Sequence, residues 1–268
     1  MLQIIVHILL VISLVYLGVC LVYFLFQERF IFVPTLKTDP FTSKIGSYCE
    51  EHFINTPYNG KIHALHLTIE NPKGIIFYLH GNTGNLKRWQ FMAEEISSYG
   101  YDVFAIDYRG YGRSRGKRSE AILHRDVEHC FDYIQTKYKN KKIIIYGRSL
   151  GCAFATRLAS RRESDKLILE TPFYNMHATG RYYLPFLPVK FLLRYHFRSD
   201  LYIKNVNTKV YIYHGTSDII VPHSHALRLY QTAMAADKSV TLTTIPGGKH
   251  SNLSSFPLFR KHLEQVLD

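Results

Sequence analysis

The sequence predicts an α/β protein with a mostly parallel sheet of about eight strands flanked by helices. Three observations support this fold class. From residue 74 onward, short apolar runs typical of buried strands alternate with longer segments of helical periodicity. The pentapeptide Gly-Arg-Ser-Leu-Gly at 147–151 separates one such strand from the helix that follows it. The length of 268 residues suits one such domain with an N-terminal appendage.

The N-terminal segment is the most apolar part of the chain. Residues 1–27 contain no Asp, Glu, Lys or Arg, and 14 of the 19 residues from 8 to 26 are Ile, Leu, Val or Phe. A helix needs about 20 apolar residues to cross a bilayer. No basic residue precedes the segment and no small-x-small cleavage site follows it, which favours an anchor over a signal peptide. We therefore predict an N-terminal transmembrane helix over 1–27 and a connector over 28–44.

Charge indicates the orientation and the partners of the chain. Arg29, Lys37 and Lys44 follow the apolar segment, whereas no Lys or Arg precedes it. The positive-inside rule then predicts a single-pass membrane protein whose main domain faces the cytoplasm. The net charge of +12 fits an anionic membrane surface. We expect no nucleic-acid partner, because no groove-reading or base-stacking motif accompanies this charge.

The main domain, expected over residues 45–268, begins with an antiparallel hairpin. Tyr48–Asn55 and Lys61–Thr68 have strand-like composition, and Pro57–Gly60 between them is a strong turn signal. Alternation follows. The further predicted strands are 74–79, 102–106, 142–146, 167–169, 209–213 and 240–245. The predicted helices are 85–99, 119–138 with Ser119 as N-cap, the segment from the pentapeptide to 160, 222–234 and 252–267.

One segment, 173–207, breaks the alternation. It is rich in Tyr and Phe and contains Pro185 and Pro188. We interpret it as a small cap insertion that shapes a substrate pocket, since function is often carried by insertions on a rigid scaffold. The alternative is a long structural loop or two short helices without a role in binding.

Ser149 is the central residue of the G-x-S-x-G pentapeptide. A sharp strand-to-helix turn brings backbone segments so close that glycine is favoured on both sides of the serine. The turn exposes the serine at a helix N-terminus, whose free N–H groups attract negative charge. The pattern is that of a nucleophile elbow. The alternative is an ordinary turn that contains a serine without a catalytic role.

A serine hydroxyl becomes a nucleophile when a base accepts its proton and a third group orients that base. In elbow-containing hydrolases the acid and then the histidine follow the serine along the chain. Asp218 lies in the loop after strand 209–213, and His250 lies in a glycine-containing loop after the last strand. We predict Ser149, Asp218 and His250 as the catalytic residues, with Glu170, which ends an earlier strand, as the alternative acid.

Two backbone N–H groups are predicted to form an oxyanion hole, those of Leu150 and Asn82. Leu150 directly follows the predicted nucleophile, and Asn82 lies in the loop after strand 74–79. Loss of one such donor costs about 3–4 kcal/mol of transition-state stabilisation. The alternative for the loop is a simple turn. This chemistry requires no metal and no organic cofactor.

These motifs together resemble the α/β-hydrolase superfamily over roughly residues 45–268, and more closely its membrane-anchored abhydrolase-domain serine hydrolases. The blocks that carry the resemblance are QERFIFVP at 27–34, HGNTGN at 80–85, DYRGYGRS at 107–114, GRSLG at 147–151, LPFLPV at 184–189 and HGTSD at 214–218. The resemblance implies an α/β-hydrolase fold with Ser149 as nucleophile, Asp218 as acid and His250 as base. It selects no substrate, because the group includes esterases, acylglycerol lipases and protein depalmitoylases. The basic loop 113–118 departs from the usual pattern and is either a headgroup site or a solvated loop.

The sequence therefore predicts a membrane-anchored serine hydrolase that cleaves acyl esters or thioesters through an acyl-enzyme intermediate. Lipid-like molecules and lipidated proteins are the candidate substrates, because the anchor holds the domain at a bilayer. Two alternatives stay open, a serine peptidase of the same fold and a catalytically silent membrane scaffold.

Overall fold

The computed structural model describes residues 1–36 and 48–268. Part of the predicted connector 28–44, including Lys37 and Lys44, and the predicted domain start at 45 lie outside the described residues. The strands are β1 (Val33–Pro34), β2 (Tyr48–Thr56), β3 (Gly60–Thr68), β4 (Gly74–Leu79), β5 (Thr83–Gly84), β6 (Asp102–Ile106), β7 (Lys142–Arg148), β8 (Lys166–Glu170), β9 (Lys209–Gly215) and β10 (Val240–Ile245).

One eight-stranded sheet organises the domain, in the order β10-β9-β8-β7-β4-β6-β3-β2. Neighbours from β10 to β6 pair in parallel, whereas β3 and β2 complete one edge in antiparallel pairing. Every residue of β4 is buried, as expected of a parallel strand covered on both faces. The predicted mixed sheet with a hairpin at its edge is confirmed.

Helices cover both faces of the sheet. The helices are α1 (Leu2–Ile31), α2 (Leu86–Ser97), α3 (Glu120–Lys137), α4 (Leu150–Ala159), α5 (Met176–Tyr183), α6 (Val189–Leu192), α7 (Ser199–Tyr202), α8 (His223–Met234) and α9 (Pro257–Leu267). One buried cluster unites α3, α4 and α8 with the sheet, and a second unites α2 and α9 with the opposite face. Ser119 caps α3 as predicted, since its Oγ accepts the N–H of Ile122 at 3.3 Å.

The last helix differs from its prediction over 252–267. A single 3₁₀ turn, Leu253–Ser255, comes first, and α9 begins only at Pro257. Proline has no N–H to donate and its ring clashes with a preceding helical turn, so it suits the first turn of a new helix rather than a helix interior.

Helix α1 has 30 residues and is long and apolar enough, by length and composition, to cross a membrane. Most of its side chains are exposed, but Cys20, Gln27 and Ile31 are buried. The helix continues through 28–31, where the sequence predicted connector. The carboxylate of Glu28 explains this extension, because it pairs with arginines of the main domain and holds the last helical turn against it.

The insertion 173–207 folds as the short helices α5, α6 and α7, followed by a 3₁₀ turn at Ile203–Asn205. This segment connects β8 to β9 above the carboxyl ends of the parallel strands. Helix α6 contacts α1, so the insertion packs against the N-terminal helix. We refer to residues 173–207 as the cap.

Candidate active site

Ser149 lies in a strained turn between β7 and α4. Its backbone has φ 51° and ψ −114°, a left-handed conformation that a non-glycine residue rarely adopts. The flanking glycines permit this turn. A Cβ atom on Gly151 would collide with the carbonyl oxygen of Leu79, and one on Gly147 would lie 2.6 Å from the carbonyl oxygen of Gly151. The elbow therefore tolerates no side chain at either glycine.

The structure brings the three predicted catalytic side chains into one hydrogen-bonded chain. His250 Nε2 lies 2.9 Å from Ser149 Oγ, and His250 Nδ1 lies 2.8 Å from Asp218 Oδ2. The Asp218 side chain is buried, whereas the His250 side chain is 15% exposed. With Nδ1–H donating to the carboxylate, Nε2 presents its lone pair to the serine hydroxyl. This arrangement is able to remove the serine proton.

Several donors converge on the carboxylate of Asp218. Its Oδ1 accepts the N–H groups of Ile220 and Val221, both at 2.9 Å. His214 Nε2 lies 3.1 Å from Oδ2, which also faces His250. Burial alone would raise the pKa of Asp218, but the hydrogen bonds from His214, His250 and Val221 outweigh it and lower the pKa below its usual value. The group is held ionised beside His250.

Glu170, the alternative acid, lies in a different network. Its Oε1 is 3.0 Å from Arg148 Nε, and its Oε2 accepts the hydroxyl of Tyr146 at 2.7 Å. Arg148 also donates from Nη2 to the carbonyl oxygen of His250 at 3.1 Å. Through Arg148, the Glu170–Arg148 pair thus contacts the backbone of the loop that carries His250. Asp218 is the carboxylate in contact with the imidazole.

The two predicted oxyanion donors lie at the same cavity as Ser149. Leu150 is the first residue of α4, so no carbonyl of its own helix accepts its N–H. The peptide of Asn82 is fixed through its carbonyl oxygen, which accepts the N–H of Val33 at 2.9 Å and the hydroxyl of Tyr111 at 2.6 Å. Their role in oxyanion binding stays a prediction.

A cavity of about 450 Å³ opens beside Ser149. Its walls are largely apolar, and most of the lining residues come from α1, the cap and the loop after Asp218. The lining residues are Tyr23, Phe30, Ile31, Asn82, Ser149, Leu150, Phe173, Met176, Thr179, Gly180, Tyr183, Leu184, Ile220 and Val221. The volume is that of an ordinary small-molecule site. The sequence predicted the cap wall but missed the wall from α1.

The attachment of α1 to the cap was also missed by sequence reasoning. Gln27 donates from Nε2 to the carbonyl oxygen of Leu192 at 2.9 Å, and its Oε1 accepts the N–H of Arg194 at 2.7 Å. Tyr195 donates its hydroxyl to Glu28 at 2.8 Å. An amide and a carboxylate directly after a long apolar run are the signal that could have indicated a docked helix end.

The basic loop 113–118 does not line the cavity. Arg113 pairs with Glu51, and Arg118 pairs with Glu28 at 3.4 Å. Arg115 donates from Nη1 to two backbone carbonyl oxygens of its own loop, both at 2.9 Å. These arginines are engaged in contacts within the protein, which does not support the alternative of a headgroup site in this loop.

Comparison with known proteins shows what the chain is similar to. The model of the family described as serine aminopeptidase, S33 (Hydrolase_4), matches residues 70–201. The uncharacterized protein Rv2307c of Mycobacterium tuberculosis is 28% identical over 246 residues, which cover 90% of this chain and 86% of that protein. The lysophosphatidylserine lipase ABHD12 of Xenopus tropicalis is 33% identical over 187 residues. That match covers 60% of this chain and 47% of ABHD12, so the chain spans about half the length of this relative.

Solved structures share the fold. The Pyrococcus furiosus esterase PF2001 superposes with a TM-score of 0.73 at 19% identity, covering 88% of this chain and 97% of that one. The esterase Est1E of Butyrivibrio proteoclasticus gives a TM-score of 0.66 at 20% identity, covering 81% and 100% of the two chains. The chain therefore has the fold of the α/β hydrolases, and the comparisons support an ester-hydrolysing serine hydrolase similar to the abhydrolase-domain group.

Proposed function

We propose that the chain is a membrane-anchored ester hydrolase that cleaves acyl chains from lipid-like substrates, with Ser149, His250 and Asp218 as its catalytic triad. The observation that carries the proposal is the composition of the cavity wall. Tyr23, Phe30 and Ile31 of the proposed anchor face the same cavity as Ser149. A helix that enters the bilayer thus also forms part of the substrate site.

The proposed mechanism follows from the hydrogen-bonded chain. Ser149 Oγ attacks the acyl carbon while His250 Nε2 takes the hydroxyl proton. The N–H groups of Leu150 and Asn82 stabilise the oxyanion, and the leaving alcohol or thiol takes the proton from His250. Water then gives a proton to the same nitrogen and attacks the acyl-enzyme, which releases the carboxylic acid and restores Ser149. Asp218 holds the imidazole in the required tautomer.

An exposed apolar surface around the cavity supports action at a membrane. Phe186 is 87% exposed, Phe191 81% and Ile219 80%. Tyr183 connects two parts of this surface, because its hydroxyl donates to the carbonyl oxygen of Ile220 at 2.6 Å. Contiguous exposed apolar groups mark interaction sites, and aromatic side chains favour the membrane interface. We call these residues the apolar rim.

The apolar rim is continuous with α1. Tyr16 of the helix donates its hydroxyl to the carbonyl oxygen of Phe186 at 3.1 Å. When α1 spans the bilayer, the rim therefore lies against the lipid beside it. A substrate acyl chain would pass from the bilayer over the rim into the cavity, with its ester bond stopping at Ser149.

The comparisons support a lipid ester as substrate. The relatives with 33% identity are named lysophosphatidylserine lipases, and such a lipid has one acyl ester and a polar head. A single apolar cavity beside Ser149 suits one acyl chain. Thioesters remain a second substrate class for the same site, because both react through the same acyl-enzyme.

A peptidase is the second candidate, since the matching family model is described as serine aminopeptidase. An aminopeptidase binds the positively charged amino group of its substrate, which calls for a carboxylate in the site. Among the described residues that line the cavity, none is Asp or Glu. The lining therefore favours the ester substrate.

The first experiment labels membranes that contain the wild type or Ser149→Ala with a fluorophosphonate probe. We expect the wild type to be labelled and the variant to remain unlabelled, with turnover of lysophospholipid but not of leucine p-nitroanilide. Equal labelling of both proteins would contradict the assignment of Ser149. An unlabelled wild type with an intact thermal transition would favour the scaffold alternative.

The second experiment tests the cavity. Thr179 lines it, whereas Thr136 is exposed on α3. In Thr179→Trp, the indole should fill the cavity and lower kcat/KM at least 10-fold for long acyl chains while sparing acetyl esters. Thr136→Trp serves as the matched control and should behave as the wild type. Equal losses for short and long chains in Thr179→Trp would contradict an acyl-binding role.

The cytoplasmic orientation stays part of the proposal and rests on the positive-inside rule. The sequence contains one acceptor sequence for N-glycosylation, Asn252-Leu253-Ser254, beside His250. A cytoplasmic main domain predicts no glycan at this site in a eukaryotic membrane. A mobility shift that glycosidase removes, absent from Asn252→Gln, would show that the domain is on the other face.

A further inference from the structure

A cluster of metal-ligand side chains lies on the edge hairpin β2–β3, apart from the cavity. Glu50 and His52 are two residues apart on β2, so their side chains point to the same face of the sheet. His66 on β3 is the cross-strand partner of Glu50 in the antiparallel register. Directly paired residues share a face as well. Register and alternation thus place one carboxylate and two imidazoles together.

The distances within this cluster approach those of a tetrahedral site. Ligand atoms of Glu50, His52 and His66 all lie within 4.8 Å of one another. His52 Nε2 is 3.3 Å from Glu50 Oε2. Zinc bonds to N and O ligands of about 2.0–2.1 Å imply ligand separations of about 3.4 Å around a tetrahedral ion. The pair of Glu50 and His52 already has this separation, and the ligand atom of His66 lies within 4.8 Å of both.

Proton positions in the adjoining network fix the tautomer of His66. Tyr138 donates its hydroxyl to Asp102 Oδ2 at 2.5 Å, since a carboxylate accepts and does not donate. The same hydroxyl oxygen lies 2.8 Å from His66 Nε2 and has no second proton to give. His66 Nε2 must therefore carry the hydrogen and donate it to Tyr138. The Nδ1 atom is left with a free lone pair.

Of the two ring nitrogens of His66, only Nδ1 has a lone pair to offer to an ion, since Nε2 donates to Tyr138. His66 is only 6% exposed, and its Nδ1 has no hydrogen-bond partner among the described residues. A buried polar atom without a partner calls for an explanation, such as an ion. In metalloproteins the non-ligating nitrogen of a histidine donates to a carboxylate or another acceptor that orients the ring. Tyr138 and Asp102 supply this arrangement for His66.

We propose that Glu50, His52 and His66 bind a divalent transition-metal ion, with Zn²⁺ as the best match. Two imidazoles and one carboxylate are a ligand set that zinc uses with a water in the fourth position. Charges near the cluster permit a cation. The Lys137 ammonium acts on both histidines and opposes the ion, while the carboxylates of Glu50 and Asp102 favour it.

The consequence of this site is structural. Strand β2 forms the edge of the sheet and pairs only with β3 among the described strands. The ion would tie β2 to β3 and, through His66 and Tyr138, to the end of α3. A metal that binds the folded state stabilises it in proportion to the logarithm of its concentration. The site would thus secure an edge strand far from Ser149.

The test uses the full chain in detergent, without an affinity tag and after removal of metals by EDTA. Zn²⁺ is titrated against a chromophoric chelator, and the thermal transition is measured with and without Zn²⁺. We expect one site per chain and a metal-dependent rise in Tm. Co²⁺ in place of Zn²⁺ should give the visible absorption of a tetrahedral site.

Four variants decide between this site and other histidines. Glu50→Gln and His52→Gln alter partly exposed ligands and should abolish the site. Tyr138→Phe keeps the ligands but removes the acceptor for His66, so the affinity should fall about 10–100-fold. His129→Asn removes an exposed histidine elsewhere on α3 and should bind as the wild type. Absence of binding in the wild type, or unchanged affinity in Glu50→Gln and His52→Gln, would overturn the proposal.

Discussion

The elbow around Ser149 and the cavity beside it are built in opposite ways. The elbow is encoded within five consecutive residues, whose two glycines fit against neighbouring backbone with no room for a Cβ. The cavity is assembled from α1, the cap and the loop after Asp218, which are far apart in sequence. The turn that exposes Ser149 is thus specified locally, whereas the cavity is specified by long-range contacts. We expect substitutions in the two regions to affect different measurements.

The largest effect is expected at the end of the hydrogen-bonded chain. In Asp218→Asn the amide no longer fixes the required tautomer of His250, and kcat should fall about 10⁴-fold with the fold intact. Glu170→Gln is the matched comparison. It weakens the pair with Arg148, so we expect Tm to fall while kcat stays within about 10-fold. Retained activity in Asp218→Asn together with loss in Glu170→Gln would reverse the assignment of the acid.

The next effect tests how strictly the elbow is packed. In Gly151→Ala the new Cβ meets the carbonyl oxygen of Leu79, and we expect a loss of about 3–5 kcal/mol in the free energy of unfolding. Gly18→Ala in α1 is the control, because a Cβ there meets nothing within 4 Å and alanine favours a helix. Chemical denaturation in detergent measures both. Similar stabilities of the two variants would mean that the elbow can accommodate a methyl group at position 151.

A smaller effect is expected where α1 docks on the cap. Gln27→Leu removes the bonds to Leu192 and Arg194 and leaves their part-buried backbone groups without this partner, at a cost of about 1–3 kcal/mol. The wall from α1 should loosen, so kcat/KM should fall for long acyl chains and stay unchanged for acetyl esters. Gln3→Leu alters an exposed glutamine of the same helix and should have no effect. A uniform loss for all chain lengths would argue that α1 is no part of the site.

The smallest effect concerns pH. Burial, with Arg228 and His214 nearby, lowers the pKa of His225 to about 4, below the ordinary 6.5. The unfolded chain therefore takes up the proton first as pH falls. Stability from this group is complete above pH 6.5 and is lost between pH 6.5 and 4, by about 2–3 kcal/mol.

His225→Asn should reduce the pH dependence of the free energy of unfolding, because an amide does not titrate. Its oxygen can still accept the N–H of Tyr174. Denaturation midpoints at pH 7 and pH 4.5 check it. An equally large loss of stability in the variant between pH 7 and pH 4.5 would show that a group other than His225 titrates.

Features of the fold that depend on neighbouring residues were easier to predict from the sequence than features that depend on distant contacts. Strands β4 and β6 to β9 of the main sheet were predicted well, because parallel strands buried on both faces leave apolar runs between turn signals. The short 3₁₀ turn before α9 was missed, because Pro257 divides one helical pattern into two. The positions of Ser149, Asp218 and His250 followed from the order of strand ends along the chain.

The substrate side of the site was less predictable. Tyr23, Phe30 and Ile31 are indistinguishable in the sequence from lipid-facing residues, because a membrane helix is apolar on every side. Which face turns to the cavity is decided by hydrogen bonds to backbone groups of the cap, and a backbone group has no sequence signature. The proton network behind His66 likewise depends on residues 36 and 72 positions apart.

The hydrogen bonds of Gln27 with the backbone of Leu192 and Arg194 fix the rotation of α1 about its axis. Successive residues of a helix are offset by about 100° around its axis. One residue inserted between Gln27 and Phe30 would therefore turn Tyr23 away from Ser149 and Gln27 away from the cap, although hydropathy and length would hardly change. A deletion of seven residues before Tyr16, two turns, would leave the cavity wall and the contact of Tyr16 with Phe186 in place and shorten only the part of the helix before them. The rotation of α1 about its own axis is thus fixed by the hydrogen bonds of Gln27, whereas the length of the helix before Tyr16 is not fixed by them.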